Sequence, residues 1–151
     1  MKNNIFNYPD IELLLCISVA LIISCVRNRQ EESCVPYSLP DRFSIDVADE
    51  KAIVISNQKQ FSEIFGNDTE ELDNIDFKKY CLLYTQGKSP YSIVEIHKEW
   101  SFLDSTFKLE IIIDNNSLVC EYRSWSVAYL IQKGNVKDIA LDVKYTGSLN
   151  N

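Results

Sequence analysis

The sequence is short of histidine, glycine, proline and positive charge. Of its 151 residues one is His, 4 are Gly and 4 are Pro, and 15 Lys and Arg compare with 22 Asp and Glu, a formal net charge of −7. The shortage of cations argues against nucleic acid as a partner, because that affinity comes mainly from basic residues that neutralise phosphates. The low Gly and Pro contents exclude a collagen-like chain. A single His excludes the usual Cys/His zinc patterns.

The chain also lacks an apolar run of the length that crosses a membrane. The run at residues 13–23 (LLLCISVALII) follows Lys2 and precedes Cys25. A spanning helix needs about 20 apolar residues, so this shorter run is typical of an export signal. We expect a signal peptide over residues 1–24. Its removal from the 151 residues leaves 127, enough for one domain of ordinary size.

The end of that signal resembles the lipobox of bacterial lipoproteins. Residues 22–25 read IISC, and in a lipobox the Cys thiol is lipidated and becomes the new N-terminus. The resemblance implies a lipid on Cys25 and attachment to the membrane of the cell envelope. Val26 carries no inner-membrane retention signal, so we expect the outer membrane, with the protein facing the periplasm or the cell surface. A general secretory signal or a poorly cleaved anchor is the alternative, because Asp10 and Glu12 make the region before the apolar run acidic.

A tether and one domain are predicted for the rest of the chain. Residues 25–42 are mostly polar and include Pro36 and Pro40, so they bury too little apolar surface to order themselves. We expect a flexible, lipid-anchored tether there. Residues 43–147 are predicted to form a single domain.

Three cysteines would remain in an oxidising compartment besides the lipidated one. Cys81 and Cys120 both lie in strand-like segments and form the candidate disulfide, while Cys34 in the tether could reach either of them. Alternatively, Cys81 and Cys120 are small buried hydrophobic residues.

The apolar pattern of the domain is mostly that of strands. Val-, Ile-, Tyr- and Phe-rich segments predict strands over residues 43–47, 52–55, 80–85, 92–100, 107–114, 118–122, 126–132 and 139–145. Turns are predicted at 87–90, 114–117 and 134–135. Because no helix separates the later strands, we expect an α+β fold, mostly antiparallel sheet or a partly open barrel, with one short amphipathic helix packed on it.

That helix follows the second strand. Ser56 or Asn57 can cap its start, and Gly66 ends it. Between them Phe61, Ile64 and Phe65 fall at i, i+3 and i+4. These three side chains form one apolar face, which we expect to pack on the sheet.

Four segments resemble the PrcB-like domain family, named for the stabilising lipoprotein subunit of a secreted subtilisin-like protease complex. They read AIVISNQKQFSEIF from residue 52, IDFKKYCLLYTQGKSPYSIVEI from 75, FKLEIII from 107 and SVAYLIQKG from 126. The resemblance implies a small exported lipoprotein that binds or stabilises a partner protein. It supplies no catalytic residues.

One strand carries the best chemical constellation in the sequence. Glu95, His97 and Glu99 alternate along residues 92–100, which puts all three on one face. They could hold a divalent ion or act as a general base, but a metal site also needs ligands from neighbouring strands, which the sequence does not single out, so we expect a solvated outer face. No catalytic residue, metal or cofactor is predicted.

The second half of the domain is rich in aromatic residues. Trp125, Tyr129 and Tyr91 form the candidate binding surface, with core packing as the alternative for Trp125. We therefore expect a non-catalytic envelope lipoprotein that acts as a protein-binding or complex-stabilising module, with an unidentified envelope protein as partner. The alternative is a carbohydrate- or small-ligand-binding lipoprotein.

Overall fold

Seven strands and one short helix build the described part of the chain. A computed structural model describes residues 33–40, 43, 45–66, 72–116, 118–134 and 136–147, all within a compact unit that begins at Ser33. In chain order the elements are β1 Cys34–Pro36, β2 Ile53–Ile55, α1 Gln58–Phe65, β3 Tyr80–Ser89, β4 Ser92–Leu103, β5 Thr106–Asn116, β6 Arg123–Gln132 and β7 Asp138–Gly147.

The strands form two sheets. Sheet A has the order β1-β6-β3-β2, and sheet B has the order β4-β5-β7. Neighbours run antiparallel except β5 and β7, which are parallel. The predicted α+β class with mostly antiparallel pairing is confirmed, and the described strands do not close into a barrel.

Alternating side chains produce a core between the two sheets. In β5 the residues Phe107, Leu109, Ile111 and Ile113 are buried, whereas the side chains between them lie on the outer face of sheet B. They pack against the inner face of sheet A, where the core residues are Cys34, Leu83, Trp125, Val127, Tyr129 and Ile131. Sheet A is therefore covered by sheet B on one side.

The helix covers the other side of sheet A. Phe61 and Phe65 are buried against Leu82 and Tyr84 of β3, and the rings of Phe65 and Tyr84 meet edge to face with centroids 5.5 Å apart. Burial on both faces explains why the first half of β3, YCLLY, is a continuous apolar run. The described part of this unit thus has three layers, which are sheet B, sheet A and the helix.

The helix begins and ends as its sequence predicts. Asn57 is the N-cap, since its Oδ1 accepts the Gln60 N–H at 2.9 Å, while Gln60 Oε1 accepts the Ser56 N–H at 2.9 Å. Gly66 follows the last turn with φ of 65° and donates its N–H to the Ser62 carbonyl. The predicted cap, apolar face and terminating glycine are confirmed.

The predicted strand at residues 43–47 does not form. Of these residues, Phe43 and 45–47 are described, and they are irregular. The Ile45 N–H donates to Gln86 Oε1 at 2.9 Å, and Gln86 Nε2 donates to the carbonyls of Ile45 and Val47 at 3.0 and 3.1 Å. One buried amide side chain therefore takes the place of a neighbouring strand for this segment.

The predicted strand at residues 118–122 is a loop instead. Asn116 Oδ1 accepts the Leu118 N–H at 3.1 Å, and the Asn116 carbonyl accepts the Val119 N–H at 3.1 Å. These bonds turn the chain directly after β5. Leu118 and Tyr122 are left 78% and 82% exposed.

The first predicted turn lies later than its glycine suggests. Gly87 and Lys88 belong to β3, and the chain turns at Pro90 and Tyr91. Gly87 is registered opposite Trp125, and a Cβ atom on Gly87 would lie 2.4 Å from the indole ring. The glycine is needed for this close approach of a side chain to the backbone.

Part of the predicted tether belongs to the fold. Within the range 25–42, Cys34–Pro36 form β1 on the edge of sheet A, and Cys34 and Tyr37 are 3% and 7% exposed. Apolar burial orders a segment whose overall composition is polar, and Pro36 is tolerated because β1 is an edge strand. The folded unit therefore begins before Phe43. The predicted signal over residues 1–24 and the first part of the tether lie outside the described residues.

Candidate functional site

A cleft of about 710 Å³ opens along one edge of β6. Its walls come from β6, from residues 92–98 of β4 and from the segment 36–40. β1 pairs with β6 only opposite residues 129–131, and the Tyr37 N–H then donates to the Ala128 carbonyl at 3.0 Å. Beyond this bond the chain leaves β6. The cleft exists because β1 is shorter than the strand on which it lies.

Part of the backbone of β6 is unpaired in this cleft. In an antiparallel ladder the N–H and C=O groups of successive residues point to opposite neighbours. The Ala128 carbonyl points to the β1 side, so the N–H and C=O groups of Ser124 and Ser126 point to the same side. In the part of the chain that the structure describes, no strand pairs with them there. Ser124 and Ser126 are half-buried and line the cleft.

A bulge in β4 supplies apolar side chains to the same cleft. The register with β5 shifts between Ile93 and Glu95. This shift lets Ile93 and Ile96, at positions of opposite parity, both pack against the core between the sheets and line the cleft. Without the bulge Ile93 would share a face with Glu95, so the bulge makes this wall apolar.

The candidate binding surface of Trp125, Tyr129 and Tyr91 is not an exposed aromatic surface. Trp125 and Tyr129 are 2% and 4% exposed and belong to the core between the sheets, although their edges line the cleft. Tyr91 is half-buried in the turn before β4, where its N–H donates to Ser89 Oγ at 3.1 Å, and it does not line the cleft. Core packing, the alternative for Trp125, is confirmed.

Trp125 also takes part in a polar contact near the Gly87 end of β3. Its Nε1 donates to the Tyr145 hydroxyl at 3.2 Å, and this hydroxyl donates to Glu50 Oε1 at 2.7 Å. Burial, and then the hydrogen bond with Glu50, raise the pKa of Tyr145 to about 12. The contact joins β6, β7 and the loop before β2, so it fixes the two sheets relative to each other.

Two cations line the cleft. Lys98 of β4 is registered opposite the fully buried Ile111, so its side chain begins on the core-facing side of sheet B. Arg123 at the start of β6 holds an ion pair with Glu121 at 2.7 Å. Neither residue was among the candidates predicted from the sequence. The signal for Lys98 is its alternation with Ile96 and Trp100, which places a charge in an inward-facing series.

The Glu95, His97 and Glu99 constellation lies on the exposed outer face of sheet B, as expected. All three residues are exposed, and His97 Nε2 lies 3.5 Å from Glu95 Oε2. Among the residues that the structure describes, no group of three or more His, Cys, Asp and Glu side chains could hold a metal ion.

The candidate disulfide between Cys81 and Cys120 is not formed, and the three described cysteines are free. Cys81 is at the start of β3. Cys120 is in the loop before β6, beside Val119, whose carbonyl accepts the Ser92 N–H. Ser92 lies just beyond the end of β3, so Cys120 is near that end of the strand. Eight residues of extended strand separate these two ends, about 26 Å at about 3.3 Å per residue, but a disulfide needs Cα atoms within about 7 Å.

Cys34 is no substitute partner for Cys81. Both residues are registered with Ile131, one on each side of β6. Two strand spacings of about 4.8 Å therefore separate their backbones, again too far for a bond. Burial, and then the neighbouring Cys81, raise the pKa of the Cys34 thiol to about 12, and burial raises the pKa of Cys81. Cys34 is a small buried hydrophobic residue and Cys81 is half-buried, whereas Cys120 is exposed. The alternative of two buried hydrophobic residues at 81 and 120 is therefore wrong for Cys120.

The membrane-related predictions concern residues that are not described. Within the ranges that the structure does describe, no helix is both long and apolar enough to span a bilayer. Cys25 lies outside those ranges.

Comparisons with protein-family models, with curated proteins and with solved structures gave no match to this chain. The resemblance to the PrcB-like domain therefore stays a prediction.

Proposed function

We propose that this protein is a non-catalytic binding module that holds an extended segment of a partner protein beside β6. The observation that carries the proposal is the unpaired backbone edge at Ser124 and Ser126, which lines the cleft. A peptide in extended conformation offers the complementary N–H and C=O groups and would continue the line of β1. Strand addition of this kind supplies affinity through the main chain and specificity through the pockets beside it.

The surroundings of the cleft support a protein partner. Ile93 and Ile96 form an apolar wall that can receive alternate side chains of an extended segment. The loop before β6 adds Leu118, Val119 and Tyr122, which are 78%, 42% and 82% exposed. Large apolar side chains exposed together in one loop are typical of interaction surfaces.

The proposal includes a place in the cell envelope. A lipid on Cys25 would anchor the chain to the membrane, most simply the outer membrane, and the partner would be an envelope protein that the module binds or stabilises. The resemblance to the PrcB-like domain supports the same role. Mass spectrometry of the mature N-terminus tests this part, and an unmodified Cys25 would leave a secreted protein without an anchor.

A carbohydrate or small ligand is the second candidate. The cleft volume of about 710 Å³ lies within the range of ligand sites, about 300–1,000 Å³. The burial of Trp125 and Tyr129 argues against it, because their ring faces contact the core and are not free to stack on a sugar. We therefore favour the protein partner.

Proline at residue 124 tests strand addition. The Ser124 N–H points into the cleft, so Ser124→Pro removes a donor that the fold does not use and places a ring on the edge. The full chain in detergent is used to select from a displayed library of random peptides about ten residues long, enough to span the open part of β6. We expect the selected peptides to bind the wild type and Ser124→Ala, which keeps the N–H, and to lose at least about tenfold in affinity for Ser124→Pro.

A thermal melt and circular dichroism establish that Ser124→Pro is folded. Failure to select any peptide, or equal binding to the wild type and the folded proline variant, would contradict strand addition at β6. Selection of sugars in place of peptides on a glycan array would favour the second candidate.

A further inference from the structure

The charge of the cleft is opposite to that of the chain. The formal net charge of the chain is −7, yet the charged side chains among the described residues that line the cleft are Lys98 and Arg123, both cations. Cations that line a cleft in an otherwise acidic protein favour the binding of an anionic group in that cleft.

The two cations differ in whether they already have a partner. Arg123 is held by Glu121 at 2.7 Å, and its side chain is 31% exposed, so a carboxylate of the protein already balances its charge. Lys98 forms no ion pair with any residue that the structure describes. The unbalanced charge of the cleft is therefore that of Lys98.

The position of Lys98 directs that charge toward β6. Its neighbours two residues away along β4, Ile96 and Trp100, pack in the core between the sheets. Lys98 shares their side of the strand and lines the same cleft as Ser124 and Ser126. An extended segment paired with β6 would thus lie between the β6 backbone and the Lys98 ammonium group.

From this geometry we propose that the partner segment carries an acidic side chain, Asp or Glu, that pairs with Lys98 across the cleft. The proposal rests on the proposed function and adds the chemistry of one partner residue. Lys98 is exposed, so its ammonium group is accessible to a carboxylate of the segment, and a charge-assisted hydrogen bond of this kind is stronger than one between neutral groups. The main chain of the segment binds β6, and its carboxylate fixes the register along β6.

A structural role for Lys98 makes a different prediction. An inward-pointing lysine on an edge strand also discourages edge-to-edge pairing of β4 with another chain. That role requires a charge on β4 but no carboxylate in a ligand at β6. Coupling between Lys98 and one peptide residue therefore separates the two roles.

A double-mutant cycle measures this coupling. A peptide selected on the full chain is synthesised with an amidated C-terminus, so that its side chains are the only carboxylates, and each acidic residue is replaced in turn by its amide. Binding is measured by fluorescence anisotropy to the wild type, Lys98→Gln, Arg123→Gln and Lys108→Gln. Lys108 is the matched control, because it is an exposed lysine on the outer face of sheet B.

We expect the selected peptides to be rich in Asp or Glu at one position. Replacing that residue by its amide should weaken binding to the wild type and to Lys108→Gln about tenfold, and should change binding to Lys98→Gln less than about twofold. A thermal melt of Lys98→Gln shows whether this variant is folded. We expect it to be, because the substitution shortens no strand and fills no core position.

Two results would overturn the inference and leave the proposed function intact. One is a peptide that depends on the open edge, as judged by Ser124→Pro, but contains no acidic position. The other is an acidic position whose effect persists in Lys98→Gln or disappears only in Arg123→Gln. Peptide binding that is insensitive to Ser124→Pro would instead overturn the proposed function, and this inference with it.

Discussion

At the scale of single residues, Gly87 is constrained by a close neighbour. The indole of Trp125 occupies the space where a side chain at residue 87 would lie. Trp125 is 2% exposed and is registered opposite Gly87 on the neighbouring strand β6. A glycine inside a strand ordinarily weakens it, since it packs nothing and gains backbone freedom on unfolding. Here Trp125 supplies the packing from the neighbouring strand, so the pair has to be considered together.

We predict that Gly87→Ala destabilises the protein by about 1–3 kcal/mol, the usual cost of forcing extra volume into a packed core. The added methyl group would meet the rigid indole at 2.4 Å, and Trp125 is packed in the core between the sheets. Urea unfolding measures the loss, with Ser101→Ala on exposed β4 as the control within about 0.5 kcal/mol. An unchanged midpoint for Gly87→Ala would mean that the indole lies elsewhere.

Gly87 also illustrates what sequence reasoning misses at this scale. A Gly-Lys-Ser-Pro run is typical of a turn, and only the proline end of it is one. The reason for the glycine lies in Trp125, far along the chain, and a local pattern carries no information about that neighbour. Lys98 is the opposite case, because its alternation with Ile96 was visible in the sequence.

At the scale of elements, the helix was predictable and the segment before it was not. The signals of α1 are local, namely Asn57 and Gln60 in the cap, the spacing of the phenylalanines and the glycine after the last turn. Residues 45–47 have equally strong strand-like alternation. They are irregular because the Gln86 side chain binds their backbone, and no local pattern reveals that contact.

The helix itself provides the next test. Phe61 is 4% exposed and stacks on Phe65 with ring centroids 4.7 Å apart. We predict that Phe61→Ala destabilises the protein by about 3–5 kcal/mol, because it leaves a cavity between the helix and sheet A. Glu63→Ala is the control on the exposed face of α1, where its pair with Lys59 is solvated and contributes little.

Urea unfolding of Phe61→Ala and Glu63→Ala measures the two losses of stability. A loss below about 1 kcal/mol for Phe61→Ala would indicate that the helix does not cover sheet A in solution. The side of sheet A that carries Leu82 and Tyr84 would then be open to solvent, and the helix would not form a third layer.

At the scale of the whole molecule, the class of fold was predictable but the cleft was not. Alternating strands and one amphipathic helix establish α+β from the sequence alone. The cleft depends on where β1 stops along β6 and on the bulge after Ile93, and both are consequences of the tertiary arrangement. The tether prediction is wrong at Cys34 and Tyr37 for the same reason, since distant strands order these two residues.

Three tyrosine hydroxyls tie the parts of the molecule together. Tyr37 donates to the Asp73 carbonyl at 2.6 Å, Tyr84 donates to Gln86 Oε1 at 2.8 Å, and Tyr145 donates to Glu50 Oε1 at 2.7 Å. Each acceptor can only accept, so each bond requires the neutral tyrosine. Burial is the main cause that raises the pKa of all three to about 12.

We therefore predict that the protein loses stability in alkali, between about pH 10 and pH 12. An unfolded tyrosine loses its proton near pH 10, whereas these folded tyrosines keep theirs until about pH 12. The folded state binds more protons in this window, so the free energy of unfolding falls as the pH rises through it. Below about pH 10 the contribution of the three tyrosines to stability is complete.

Urea unfolding at a series of pH values measures this fall in the free energy of unfolding, and tyrosinate absorbance follows the ionisation. Tyr145→Phe should make the fall less steep, because only two tyrosines with a raised pKa then remain to lose a proton on unfolding. Free ionisation of all the tyrosines near pH 10 in the folded protein, without loss of stability, would show that these hydroxyls do not hold the layers together.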